Sequence, residues 1–331
     1  MIHFLPIENL KERYTPMMND IMTPLFDYVY YPETKEQEIV KGQFLDIEGT
    51  IGFKAKQLTM VVEAFQEGKV KSGDKFFVAD IFYPGIESIK YMAELQDIDV
   101  EIIGYNHAGR ADEYDFVRKL GIWSDSAEQT YMMVCDRICV GSEYHKKLIC
   151  EYFNINPDKV YVTGCVWSND YAWGLYPHYE PKTDQVIFPH RLSSEKGINE
   201  FIQIVEQMPD TKFIITSSKK NEKLIPLPTN VETKIGITKS EYYKLLSQSR
   251  VYLSCAFQET FGYTLREALL YKCIPVVPDR ASYLEYVPEQ NRYKNIEDAV
   301  RLIKEAQDVD LYYRELNDNN VEKIMNVIYG W

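Results

Sequence analysis

The sequence is poor in the features that usually betray a protein's class. No stretch approaches about 18 unbroken apolar residues, so no membrane-spanning helix is expected. Residues 1–8 carry no basic segment ahead of a long apolar core, so no secretory signal is expected. The six cysteines form no Cys-x-x-Cys pair and the five histidines follow no zinc spacing. In a chain of this length they read as reduced thiols in a cytoplasm rather than a disulfide framework. Gly-x-Gly-x-x-Gly and Gly-x4-Gly-Lys-Ser/Thr are both missing, which leaves dinucleotide oxidoreductases and P-loop NTPases without support. No internal repeat or low-complexity tract occurs. Two Asp-x-Asp strings, Asp97/Asp99 and Asp308/Asp310, fall between predicted elements and near the chain end, and read as solvated loops rather than a metal site. What remains is a 331-residue chain, 45% hydrophobic and 26% charged, long enough for two globular domains.

Charge divides unevenly. Residues 1–178 hold 17 Lys and Arg against 28 Asp and Glu, a net of −11, and residues 179–331 hold 20 against 22, a net of −2. The acidic first half repels polyanions unless its cations are clustered, and the near-neutral second half better suits an anionic small ligand. Short apolar runs, read as strands, alternate with helical patterns. Strands are expected at 2–7, 75–79, 100–105, 137–141 and 159–162, then at 185–188, 212–216, 231–235, 251–254 and 274–277. Helices are expected at 17–26, 55–66, 127–133, 143–153, 198–207, 240–248, 265–271, 295–306 and 318–329. In the helix over 55–66, Leu58, Val61, Val62 and Phe65 make the apolar face. Residues 166–183 are aromatic-rich without a period and read as a connector. This alternation predicts two doubly wound α/β domains, at 1–178 and from 179 on.

Chemistry concentrates in two segments of the second half. In Glu259-Thr-Phe-Gly262-Tyr-Thr264-Leu-Arg-Glu267 a strand gives way to a loop and then to a helix near Thr264. Loop amides of Gly262, Tyr263 and Thr264 at a positive helix end suit a diphosphate, and Gly262 permits close backbone approach. Thr264-x-x-Glu267 also reads as a plain capping box. Upstream, Arg191-Leu-Ser-Ser-Glu-Lys196-Gly197 places two cations after a strand. A glycosidase pair at Glu259 and Glu267 would explain neither those cations nor the diphosphate loop.

The Glu259-to-Glu267 segment resembles the Glu-x7-Glu signature of retaining GT-B glycosyltransferases, the large family-4-like group. The Arg191-to-Gly197 segment is similar to that family's Gly-Arg-Leu-x-x-x-Lys-Gly loop, with His190 where the family has Gly. Ile103-Gly-Tyr-Asn-His107-Ala-Gly and Asp136-Arg-Ile-Cys-Val-Gly141-Ser142 resemble its first domain. The resemblance implies two Rossmann-like domains facing a central cleft, the second at 179–313, with the helix at 314–331 returning to the first. It implies catalytic roles for His107, Glu259, Arg191 and Lys196, with the two cations clamping the donor diphosphate. Donor contacts would come from Gly236, Ile237, Phe261, Gly262, Tyr263, Thr264 and Glu267, the last binding ribose. The donor would be a nucleotide-diphosphate sugar such as a UDP-sugar, a co-substrate, with no cofactor and no metal.

Phe4-Leu-Pro6-Ile-Glu8, Asp46-Ile-Glu-Gly49-Thr50 and Asp80-Ile-Phe-Tyr-Pro84-Gly85 are similar to phage-encoded glycosyltransferases that decorate modified bases in DNA. That resemblance implies an acceptor hydroxyl on a hydroxymethylated pyrimidine in double-stranded DNA, inside a host cytoplasm. Arg13, Lys54, Lys56 and Arg110, with Lys11, are the candidate phosphate contacts. The alternative acceptor is a saccharide or lipid-linked group of envelope or capsule synthesis.

Overall fold

The structure is a computed structural model that describes residues 1–8, 10, 13–33, 47–217, 225–306 and 319–330. The chain forms two compact units, Met1–Trp167 with Asn319–Trp331, and Ser168–Asp318. No helix among the described residues is long and apolar enough to cross a membrane.

The first unit is a six-stranded parallel sheet in the order β2-β1-β3-β4-β5-β6. Its strands are β1 (Ile2–Leu5), β2 (Tyr28–Val29), β3 (Asp74–Val78), β4 (Val100–Asn106), β5 (Arg137–Val140) and β6 (Val160–Val162). Its helices are α1 (Thr15–Met22), α2 (Gly52–Gln66), α3 (Glu87–Leu95), α4 (Trp123–Val134) and α5 (Glu143–Phe153). The strands are near-continuous apolar runs because helices cover both faces of a parallel sheet. Phe76, Phe77, Ile102 and Ile103 are fully buried.

One expectation changes here. A π-helical turn, Ile47–Ile51, runs straight into α2. In α2 the buried face is Phe53, Lys54, Gln57, Val61, Ala64 and Phe65, rotated from the apolar stripe through Leu58 and Val62. Polar residues sit inside because each finds a partner. Gln57 Nε2 donates to Pro6 O (2.7 Å) and Tyr30 O (3.0 Å), and Lys54 Nζ lies 2.5 Å from Asp80 Oδ2 and from Phe82 O.

The second unit is also parallel, with order β12-β11-β10-β7-β8-β9. Its strands are β7 (Thr183–Phe188), β8 (Phe213–Ser217), β9 (Val231–Ile235), β10 (Ser249–Leu253), β11 (Ile274–Pro278) and β12 (Arg292–Tyr293). Helices α6 (Asn169–Leu175), α7 (Ile198–Glu206), α8 (Lys239–Gln248), α9 (Tyr263–Leu270), α10 (Tyr283–Tyr286) and α11 (Ile296–Lys304) surround it. The unit starts at Ser168, ahead of the boundary read at Tyr179. Part of the predicted connector is α6, capped by Ser168 Oγ accepting from the Tyr171 N–H (3.1 Å). Its aromatics dock rather than link: Trp173 stacks on Tyr271 with centroids 6.0 Å apart and meets Tyr179 at 4.6 Å.

Helix α12 (Asn320–Tyr329) belongs to the first unit. It buries Ile324, Val327 and Ile328. Lys75 Nζ donates to Ile328 O (2.8 Å) and Arg137 Nη1 to Val327 O (2.5 Å). Cations thus meet the carbonyls at its negative end. At its start Asn320 Nδ2 donates to Cys165 O (2.9 Å).

Candidate active site

A parallel α/β sheet offers a crevice beyond the carboxyl ends of its strands at the point where strand order reverses. In the second unit that point lies between β7 and β10. The segment after β7 carries His190, Arg191 and Lys196, and the segment after β10 carries Glu259 and Gly262. Topology therefore brings both sequence motifs to one sheet edge.

Gly197 joins the two loops. It has φ 71°, and a Cβ there would lie 2.0 Å from the Cys255 carbonyl oxygen. Only glycine lets the Lys196 turn touch the β10 loop. Phe257 N–H donates to Glu195 O (3.0 Å), and Arg280 braces the loop through Ala256 O and Cys255 O, both at 3.0 Å. On this frame Lys196 Nζ stands 3.5 Å from Glu259 Oε2, while Glu259 Oε1 accepts the Gly262 N–H at 3.2 Å. Both side chains are largely buried, at 18% and 17% exposure. A fixed cation and carboxylate beside the start of α9 can hold a phosphate and a sugar hydroxyl respectively.

Helix α9 begins at Tyr263, ahead of the helix expected over 265–271, with Gly262 as its N-cap at φ 83°. The Thr264–Glu267 capping box does not form. Thr264 Oγ1 pairs instead with Tyr252 OH (3.0 Å), and Glu267 turns inward. Glu267 is 4% exposed, with Oε1 at 2.5 Å from Lys239 Nζ and accepting from Tyr243 OH at 3.2 Å.

The other expected donor residues vary in placement. Arg191 is exposed and pairs with Glu195 at 3.1 Å, so the two cations do not converge on one partner. Burial alone would raise the Glu195 carboxyl, but Ser193, a backbone N–H, Arg191 and Lys196 together hold it below the usual range. His190 is buried against Phe188 and Tyr252, and burial, with Lys196 and Arg191, pushes its pKa well down, so it is neutral. Phe261 is buried under the Arg266 guanidinium, 4.1 Å from the ring centroid, and edges Tyr263; it is a packing element beneath the loop. Tyr263 is half-buried. Gly236 has φ 67° and donates its N–H to Ser217 O (2.7 Å). Ile237 follows it, just ahead of a true capping box in which Thr238 and Glu241 start α8.

In the first unit the order reverses between β1 and β3. His107 follows β4, and its Nε2 lies 2.8 Å from Ala79 O. A carbonyl only accepts, so Nε2 carries the proton. Burial is the main cause lowering its pKa, so His107 is neutral near pH 7.

The expected phosphate contacts need correction. Lys54 is 2% exposed and committed to Asp80, so it cannot meet a phosphate without stranding a buried charge. Arg110 is spent on Asp125 (2.5 Å), Val117 O, Leu120 O and Ser124 Oγ, stapling its own loop. Lys56 is exposed, with Nζ 3.4 Å from Glu33 O, and Arg13 is half-buried. Lys11, Asp308 and Asp310 lie outside the described residues. Sequence reading quoted Glu8 and Asp80 in the amino-terminal strings without giving them a role, and missed Glu128; all three are buried. It also missed Lys239, whose one signal is a cation at the positive end of a predicted helix.

Comparison with known proteins fits this geometry. The family model "Glycosyl transferases group 1" matches residues 178–322. A Drosophila melanogaster tRNA-queuosine alpha-mannosyltransferase is 25% identical over 167 residues, 46% of this chain and 43% of that protein. The chain thus matches less than half the length of that curated relative. Among solved structures, the lipopolysaccharide outer core galactosyltransferase WaaB superposes with a TM-score of 0.63 at 13% identity, covering 99% of each chain. S. aureus TarM, solved with fondaparinux, α-GlcNAc-glycerol and UDP, gives 0.52 at 17% identity, over 82% of this chain and 56% of that one. The two six-stranded parallel sheets have the GT-B glycosyltransferase fold. The family match is confined to residues 178–322, and the likeness to WaaB is one of fold.

Proposed function

We propose that the chain is a glycosyltransferase whose second unit binds a nucleoside-diphosphate sugar and whose first unit binds a hydroxyl acceptor. The observation that carries this is the Lys196–Glu259–Gly262 constellation at the strand-order reversal of the second sheet. Lys196 stabilises charge on the departing phosphate, Glu259 holds hydroxyls of the donor sugar, and Glu267 the ribose. A UDP-sugar is the proposed donor, since TarM was solved with UDP.

Transfer proceeds with retention. The sugar's bond to the phosphate oxygen breaks while the acceptor oxygen bonds on the same face, and the departing phosphate takes the acceptor's proton. No side-chain base is needed. Lys196→Ala is expected to cut turnover by roughly 10²–10³ through loss of a partner for developing charge, with Arg191→Ala weaker because that side chain is exposed. Near-normal turnover in Lys196→Ala would remove the lysine from the leaving-group site. The chemistry proposed uses no divalent ion, so turnover should survive EDTA; loss restored by manganese or magnesium would refute it.

For the acceptor we favour a hydroxyl on a modified nucleobase. The Drosophila relative is by name a tRNA-queuosine mannosyltransferase, and the amino-terminal resemblance points to hydroxymethylated pyrimidine in DNA. Saccharide or lipid-linked acceptors are the second reading, favoured by the acidic first half and by the commitment of Lys54 and Arg110 to internal partners. Mass spectrometry separates them: hydroxymethylated DNA, queuosine-bearing tRNA, their unmodified forms and a saccharide panel are each incubated with UDP- and GDP-sugars. A mass increase on a modified nucleic acid alone supports the first reading, and one on saccharides alone the second. No transfer and no donor hydrolysis with any pair would sink the proposed activity.

A further inference from the structure

Lys239 occupies a place that helix physics disfavours. It opens α8, where the positive end of the macrodipole repels a cation. Its side chain nevertheless folds back over the rings of Tyr242 and Tyr243, at 5.1 and 5.3 Å from their centroids, and ends 2.5 Å from Glu267 Oε1. The start of α8 is pinned by the Thr238–Glu241 capping box, so the lysine's origin is fixed. The same box follows Gly236 and Ile237 directly. Glu267 is nearly sequestered, and a buried carboxylate requires a counter-charge and held geometry. Lys239 supplies the charge, Tyr243 OH a second bond to the same oxygen, and two aromatic faces restrict where the ammonium can sit.

We propose that Lys239 is a positioning residue for nucleotide recognition. By fixing one oxygen of Glu267 it sets the carboxylate's orientation towards the ribose hydroxyls of the donor. This rests on the ribose role proposed for Glu267. It assigns to Lys239 the enzyme's preference for a ribose over a ribose lacking its hydroxyls. A lysine that merely stabilised the fold would affect all nucleotides alike.

The test is a binding cycle by calorimetry, with UDP and GDP each measured beside its 2′,3′-dideoxy counterpart. Wild type is expected to prefer the ribose form of its nucleotide by about 10–100-fold, the scale of hydrogen bonds to a charged group. Lys239→Met should lose most of that preference while binding the dideoxy form within about threefold of wild type. Lys239→Arg should keep the preference, and Lys239→Gln serves if the methionine variant does not fold. An undiminished preference in the methionine or glutamine variant would overturn the proposal and leave the ribose role of Glu267 standing. A wild type with no preference would overturn both, and binding of neither nucleotide would overturn the donor reading itself.

Discussion

Gly197→Ala is expected to destabilise the second unit by about 4 kcal/mol in denaturant unfolding, and to abolish turnover in whatever protein remains folded. Two costs add. A left-handed residue with a Cβ loses about 1–2 kcal/mol, and overpacking against neighbouring atoms about 1–3 kcal/mol more. The obstruction is the Cys255 backbone carbonyl, 2.0 Å from the new carbon, so no side-chain rotation relieves it. Either the Lys196 turn or the loop bearing Glu259 must shift, which separates the proposed phosphate and sugar contacts. Gly73→Ala is the control: its φ is 87° but nothing lies within 4 Å of the added carbon, so only the first cost applies. Each variant is read on its own unit's transition, because two units need not unfold together. Equal losses for the two variants would show that the loops are not packed as described.

Raising the pH should weaken the first unit through Glu128. This α4 carboxyl is 1% exposed, and burial pushes its pKa up to about 8. The Arg110 N–H donates to Oε2 at 2.9 Å, and Oε1 lies so close to Gly109 that a Cβ there would be 2.0 Å from it. Folded protein therefore keeps a proton that the unfolded chain releases near 4.5. Between those values the native state binds more protons, so stability falls as pH rises, by about 1.4 kcal/mol per pH unit. The loss is complete above pH 8, where it is on the order of 5 kcal/mol. Glu128→Gln retains an acceptor for Arg110 without the titration. The wild-type minus variant difference in unfolding free energy should slope downward from pH 5 to 8, and a flat difference would show that Glu128 ionises normally. The segment anchored by Glu128 follows His107, so the alkaline loss should also reach that histidine's placement.

The second unit was the more legible from sequence because its chemistry lies in contiguous strings. Lys196-Gly197 sits on one turn and Glu259 to Glu267 on one loop and the start of α9, and a strand–loop–helix order needs no long-range information. The first unit hid its interior because α2 buries Lys54 and Gln57, which a hydrophobic pattern assigns to solvent. Their partners, Asp80, Phe82 O, Pro6 O and Tyr30 O, come from distant positions, and only the assembled sheet brings them together. Helix α6 was hidden differently. Its aromatics face several partners at once, so no single periodicity emerges. Arg110 looked like a surface cation because nothing in its neighbourhood shows that two backbone carbonyls and Asp125 surround it.

The place of α12 gives the chain a direction in time. About 150 residues separate this helix from the rest of its unit, and they include the whole second unit. On a ribosome the second unit is complete while the first still lacks the helix that covers β5 and satisfies Lys75 and Arg137. The first sheet must wait, with Lys75 and Arg137 paired to Glu101 but lacking their helix carbonyls, for a segment made after the second unit has closed on itself. Vectorial synthesis thus makes the part of the molecule that comes first in the sequence the last to finish folding.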